Sequence, residues 1–254
     1  DTLGYSDDDA NFYYTPGFGL FYQYDVLTDQ DGGIHFAANA FTYLCKDLDG
    51  GCLDNDGDGL ADSLYSEFRF PGGGMYHFYN PDPMANPDNW KATFIHDFSD
   101  AYSADWTGNM VTTYDVVQYF YPLLSASYEE GSQVMWYGAS NMSLASYNAD
   151  STLYEARDID LYVAKSVDNG RTWWGKCMDD YGAMYDCQEP ENITNTVNQL
   201  EVGMHLANIG TDNDIGIFCQ VPNFNVETYP PAAGYEDYLN YVYIGRYEND
   251  MESL

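Results

Sequence analysis

Cationic side chains are scarce in this sequence: 8 lysines and arginines stand against 41 aspartates and glutamates, a formal charge of -33. Such a surface repels the phosphates of nucleic acid and the headgroups of anionic membranes, which excludes polyanionic partners. No apolar run reaches 18 residues, so nothing has the length of a helical membrane span. CxxC pairs are missing, and His35, His77, His96 and His205 lie far from the cysteines in sequence, which excludes a zinc site of ordinary spacing. G-x-S-x-G, H-E-x-x-H and Gly-rich phosphate loops are also missing, and with them the hydrolases and nucleotide binders that depend on them. Aromatic residues are abundant, however, and 26 Tyr, 13 Phe and 5 Trp are too many for a disordered acidic chain.

Helical periodicity is nearly absent. Runs rich in Tyr, Phe, Val and Ile, separated by Gly, Asp, Asn and Pro, predict strands over 20–27, 33–44, 63–70, 75–79, 92–98, 110–118, 133–139, 160–166, 201–208, 215–221 and 238–247. The one helical candidate, Tyr114–Tyr121, is so rich in β-branched and aromatic residues that a strand is favoured there too. Alternation is visible before Ser166, with Ile159, Leu161 and Val163 on one face and Asp160, Tyr162 and Ala164 on the other. Three segments share a plan of polar turn followed by apolar strand: 31–38, 131–139 and 213–219. On a blade period of roughly 40 to 50 residues they stand about two blades apart, leaving room for a further blade in each gap.

The five cysteines cluster locally, Cys45 with Cys52 and Cys177 with Cys187, while Cys219 is left over. Read as loop-closing disulfides they imply an oxidising compartment; reduced buried thiols are the alternative. Asn141-Met-Ser143 and Asn192-Ile-Thr194 fit the glycosylation pattern. The chain opens at Asp1, which fits a processed mature protein or a fragment of a longer one.

Ser166, Asp168, Gly170, Thr172 and Trp173 fill every fixed position of S-x-D-x-G-x-T-W. This resembles the Asp box of sialidases and other bacterial neuraminidase-repeat propellers, where the box turns the third strand of a blade into the fourth. The residues suit that turn: the carboxylate accepts N–H bonds, glycine supplies a positive φ, and the Trp ring packs against the next blade. The resemblance implies an all-β, sialidase-like β-propeller, five- or six-bladed or incomplete, forming one domain over 1–254. It speaks for fold rather than activity. A second box is not found.

Asp54, Asp56, Asp58 and Asp62, with Gly59 at the sharp turn, read D-x-D-x-D-G-x-x-D and resemble the calcium loops of EF-hands, dockerins and thrombospondin type 3 repeats. Alternating carboxylates and the Leu60 carbonyl suit one hard cation, Ca2+. The twelfth loop position is Tyr65 rather than a bidentate Glu, and Glu67 comes two residues late, which places the loop nearer the dockerin or thrombospondin style. Asp47 and Asp49 are further candidate ligands, and a Cys45–Cys52 bridge would hold this insertion, about 45–63, against the loop. Its few apolar groups leave the metal as the ordering agent, a structural role.

Phe68-Arg69-Phe70-Pro71 looks like the sialidase F-R-I-P signature with Phe for Ile. An arginine triad would then need Arg69, Arg157 and Arg246, because Arg171 occupies a variable position of the box. No catalytic residue is assigned. The expected function is a secreted or cell-surface, calcium-stabilised module that binds a glycan or an extracellular protein or builds a surface assembly. The alternative is a glycoside hydrolase of sialidase-like type.

Overall fold

The computed structural model describes residues 3–6, 12–15, 17–45, 64–67, 73–96, 121–147, 154–197, 199, 201, 203–222 and 240–251. Everything regular among them is β-structure, as the turn-punctuated aromatic runs require. Strands β1 (Leu3–Ser6) and β2 (Phe12–Thr15) form a small hairpin. Three larger antiparallel meanders follow.

The first sheet runs β3 (Gly17–Thr28), β4 (Ile34–Cys45), β6 (Gly73–Asn80) and β7 (Lys91–His96) in spatial order, with β5 (Leu64–Glu67) on the far end of β4. Its first turn is written in Asp29-x-x-Gly-Gly. The Asp29 carboxylate accepts the N–H groups of Asp31 and Gly33 at 3.0 and 2.7 Å, and Gly32 supplies a φ of 87°. The second sheet repeats the plan with β8 (Leu123–Ser127), β9 (Met135–Tyr147) and β10 (Tyr154–Ser166).

Its outer edge is covered by a strand in pieces. Trp174 bridges Lys165, β13 (Glu191–Asn192) pairs Val163 and Tyr162, and Ile193 N–H donates to Leu161 at 2.9 Å. Gln199 and Glu201 then exchange backbone bonds with Ile159 at 2.9 and 3.0 Å. Between the first two pieces the chain leaves as the hairpin β11 (Gly175–Met178) and β12 (Met184–Cys187), which the Cys177–Cys187 disulfide closes.

The third sheet has β14 (Gly203–Leu206), β16 (Asp214–Pro222) and β17 (Asn240–Glu248); β15 (Ile209–Gly210) pairs in parallel with β8 and ties this sheet to the second. Val134, Trp136, Leu161 and Val163 from the second sheet meet Met204, Ile215, Ile217, Cys219 and Val221 from the third in one core cluster. A separate cluster of Tyr76, Phe78, Phe94, Ala38 and Ala40 lies on the first sheet. Cys219 is a free, buried thiol.

The three segments singled out for their shared plan enter β4, β9 and β16, the second strand of each sheet. Among the described residues the spacing therefore measures one sheet per repeat rather than two: those between 139 and 213 build the rest of the second sheet and the start of the third. Alternation before Ser166 separates two faces that are both buried, with Ile159 at 0% and Asp160 at 1% exposure. The predicted strand at 110–118 and residues 46–63 of the insertion, with Cys52, lie outside the described residues.

Candidate functional site

The turn after β10 is built from side-chain oxygens. Ser166 Oγ donates to Asp168 Oδ1 at 2.8 Å and accepts the N–H groups of Asp168 and Gly170 at 3.3 and 2.8 Å. Asp168 in turn accepts Arg171 N–H and Thr172 N–H at 3.0 and 2.9 Å on one oxygen and the Thr172 hydroxyl at 2.7 Å on the other. Asn169 and Gly170 take φ of 62° and 80°, the left-handed conformation that favours glycine. The chain thereby reverses within a few residues and delivers Trp173, 3% exposed, onto the rings of His77 and Tyr137.

The same device occurs twice more, where the motif gave no warning. Asn80 ends β6 at the register position that Ser166 holds in β10: Asn80 pairs Ile34, and Ser166 pairs Met135, the first residue of β4 and β9 respectively. Its Oδ1 accepts Asp82 N–H at 3.0 Å and its amide donates to the Asn86 carbonyl at 2.9 Å. Asn249, just beyond β17, accepts Met251 N–H at 3.0 Å. All three residues are buried, and each receives the N–H two positions on. A search for Ser and Gly misses them because an Asn carbonyl oxygen does the work of the hydroxyl.

Consecutive sheets are joined by one recurring step, from the last residues of a third strand to the turn of the following sheet. At the first junction Asn169 of the turn donates to Tyr79 Oη at 3.0 Å, and His77 Nδ1 contacts the Gly170 carbonyl at 2.9 Å. Asn141 meets His96 Nε2 at 3.0 Å across the same junction, and burial drives His96 down to about 3, so it stays neutral. At the second junction Lys165, 1% exposed, donates its ammonium to the carbonyls of Asn249 and Met251 at 2.9 and 2.6 Å and lies 5.6 Å from the Trp136 ring centre. Burial lowers its pKa, and Asp212 and Asp250 work against that shift. Tyr79 and Lys165 both stand one residue before the turn, on the face turned to the next sheet.

On the third sheet no described residue packs against that face. Glu248 and Arg246 occupy the positions of Lys165 and Val163, and their side chains are 70% and 61% exposed. Ile244, which corresponds to the buried Leu161, is 83% exposed, and Val242 is 57% exposed. Beside them a groove of about 260 Å³ opens between Tyr243, Cys219 and Ile193. This is the largest departure from the pattern of the first two sheets, and it forms the candidate surface.

No family model, curated protein or solved structure matches this chain.

The candidate calcium ligands Asp54, Asp56, Asp58, Leu60 and Asp62 lie outside the described residues, as do Asp47, Asp49 and Arg69. Their donors are all hard oxygens, the chemistry calcium requires. Among the described residues no group of three His, Cys, Asp or Glu is placed to hold a metal. Arg246 is held by Asp214 at 2.9 Å and Glu248 at 3.4 Å on an exposed edge strand, and Arg171 is exposed on its turn. Neither glycosylation sequon offers a free amide: Asn141 is 2% exposed and engaged with His96, and Asn192 donates to the buried Asp160 at 2.7 Å.

Proposed function

We propose that this chain is an extracellular, calcium-stabilised β-propeller module of the Asp-box type, and that its task is assembly with a protein surface that covers the third sheet. The three sheets are read as consecutive blades, stacked by the step from Tyr79 to Asn169 and again from Lys165 to Asn249. The observation that carries the reading is Ile244: the position buried as Leu161 in the preceding sheet is apolar and open on β17, together with Val242. A strand whose two neighbouring counterparts are buried is not decorated with Ile, Val and Tyr for water alone.

The charge pattern agrees. Asn240–Tyr247 carries no carboxylate in a chain of 41, so this strip is where a second acidic copy meets least repulsion. The surface offers apolar contact, a sheet edge, and the Arg246–Glu248 pair, which can exchange partners across an interface between two copies. The Cys177–Cys187 disulfide and the hard-oxygen calcium loop both suit an extracellular setting.

Sedimentation equilibrium with calcium and about 0.5 M salt, enough to screen most surface repulsion, tests the reading. Dimers or larger assemblies are expected, and Val242→Asp with Ile244→Asp should return the protein to monomer while leaving its unfolding unchanged, because exposed substitutions rarely cost more than about 0.5 kcal/mol. A wild-type protein that stays monomeric up to about 100 μM, far weaker than a specific interface requires, would overturn it.

A further inference from the structure

A chain of ring nitrogens crosses the first junction. Asp29 Oδ2 lies 3.1 Å from His35 Nε2, His35 Nδ1 lies 2.9 Å from His77 Nε2, and His77 Nδ1 lies 2.9 Å from the Gly170 carbonyl. His35 is 0% and His77 1% exposed, so water does not replace a missing link. Both ends of this chain are acceptors: a carboxylate at one, a backbone carbonyl at the other. Three links between them need three protons. An ionised Asp29 and two neutral imidazoles supply only two.

We infer that Asp29, His35 and His77 hold one extra proton at neutral pH, and that this proton locks the first sheet to the Ser166–Trp173 turn. The count does not depend on where the proton sits. If His77 is neutral, its Nδ1–H serves Gly170, its Nε2 accepts from His35, and His35 must carry a second proton toward Asp29. Moving the charge to His77 or to the carboxyl leaves the total at three. Without it, two acceptors face each other somewhere along the chain, and a buried polar group goes unbonded.

Taken singly, each of the three groups sits below its ordinary value, so the extra proton is held by the closed set of three links rather than by the surroundings of any one group. Burial pushes Asp29 up, but bonds from His35, Asn169 and Gly33 outweigh it and hold the carboxyl below its ordinary value. Burial holds His35 below its ordinary value, and the bond and charge of Asp29 beside it offset only part of that. Burial and the neighbouring His35 drive His77 to about 3. Among the described residues, the other ionisable groups facing the chain are Tyr79, raised by burial and by Asp29, and Asp31 beyond it. From the second sheet come Trp173 and Tyr137, the latter raised far above its usual value by burial, and from the turn only Asn169 and Gly170; Asp168 is consumed in its own loop.

The pH dependence follows from the proton count. Above the ordinary histidine value of 6.5 the unfolded chain carries two of these protons and the folded chain three. Folding therefore takes up one proton, and its stabilising effect is complete below that value and is lost as pH rises through the folded value. On the acid side the unfolded chain protonates both imidazoles while buried His77 accepts no further proton until about pH 3, so stability falls again. The maximum lies between, and one proton changes the unfolding constant by about tenfold per pH unit on either limb.

Two measurements decide. At pH 7, nitrogen-15 spectra of the imidazoles read together with the carbon-13 shift of the Asp29 carboxyl should count three protons on the wild-type trio: three protonated ring nitrogens beside an ionised Asp29, or two beside a protonated one. Chemical denaturation from pH 7 to 9 should lose about tenfold per unit, and Asp29→Asn, whose amide can donate to a neutral His35, should abolish that slope. Two protonated nitrogens beside an ionised Asp29 in the wild type overturn the inference even if the variant fails to fold, and so does a variant that keeps the wild-type slope.

Discussion

Asp168 and Gly170 show how few atoms hold the turn that joins the first two sheets. One carboxylate collects two backbone N–H groups and two hydroxyls within seven residues, so its loss leaves partly buried donors without acceptors. Asp168→Ala is expected to cost about 2–3 kcal/mol, the range for hydrogen bonds to a charged group, read as a shift in urea midpoint at unchanged slope. Gly170 is constrained twice, by its φ of 80° and by the His77 ring, which a β-carbon at this position would overlap. Gly170→Ala should therefore cost more than left-handed strain alone, about 3 kcal/mol or above, and should disturb the His77 resonances. An equal substitution at Gly131, where φ is 78° but nothing lies within 4 Å of the added carbon, should cost only the strain, about 1 kcal/mol. The difference between the two glycines isolates the contact between sheets.

At the scale of elements, the broken fourth strand of the second sheet separates what the sheet needs from what has been inserted in it. Trp174, Glu191–Ile193 and Gln199–Glu201 cover β10, whereas the β11–β12 hairpin projects outward with Tyr185 and Met184 exposed. Reducing Cys177–Cys187 should thus loosen the hairpin, removing about 2–3 kcal/mol of local stability, without opening β9 or β10. Hydrogen exchange should rise over 175–190 and stay slow over 159–166. Exchange spreading into β10 would mean that the hairpin is part of the sheet rather than an excursion from it. The same element shows where sequence patterns stop being legible. The second strands of all three sheets were readable, because a polar turn before an apolar run is local information. The Ser166 turn was readable because its bonds span four residues or fewer. Strand β8 was missed: Leu123–Ser127 is mostly small or polar, and Ser125 and Ser127 are buried by their surroundings rather than by their own chemistry. The split edge strand and the junctions were also illegible, since Asn169 and Tyr79 are 90 residues apart and nothing local marks them as partners.

For the whole molecule, charge is the dominant fact. A formal charge of -33 opposes any compact state, and the insertion at 46–63 concentrates that opposition with six aspartates in a short segment. Two remedies act differently. Salt screens all pairs alike, shortening the range of repulsion from about 10 Å at 0.1 M to about 3 Å at 1 M. Calcium neutralises only the carboxylates that bind it, and its binding free energy adds to folding. If the loop from Asp54 to Asp62 holds calcium, as proposed, then removing the ion should lower the melting temperature at both low and high salt. At low salt the drop contains lost coordination and restored repulsion together; at 1 M it contains mainly the coordination. Asp56→Asn with Asp58→Asn should reproduce the high-salt drop in the presence of calcium and make the protein indifferent to chelator. A chelator effect that disappears at 1 M salt would mean that calcium acts only as a counterion, and a melting temperature unmoved at either salt would remove calcium from the fold.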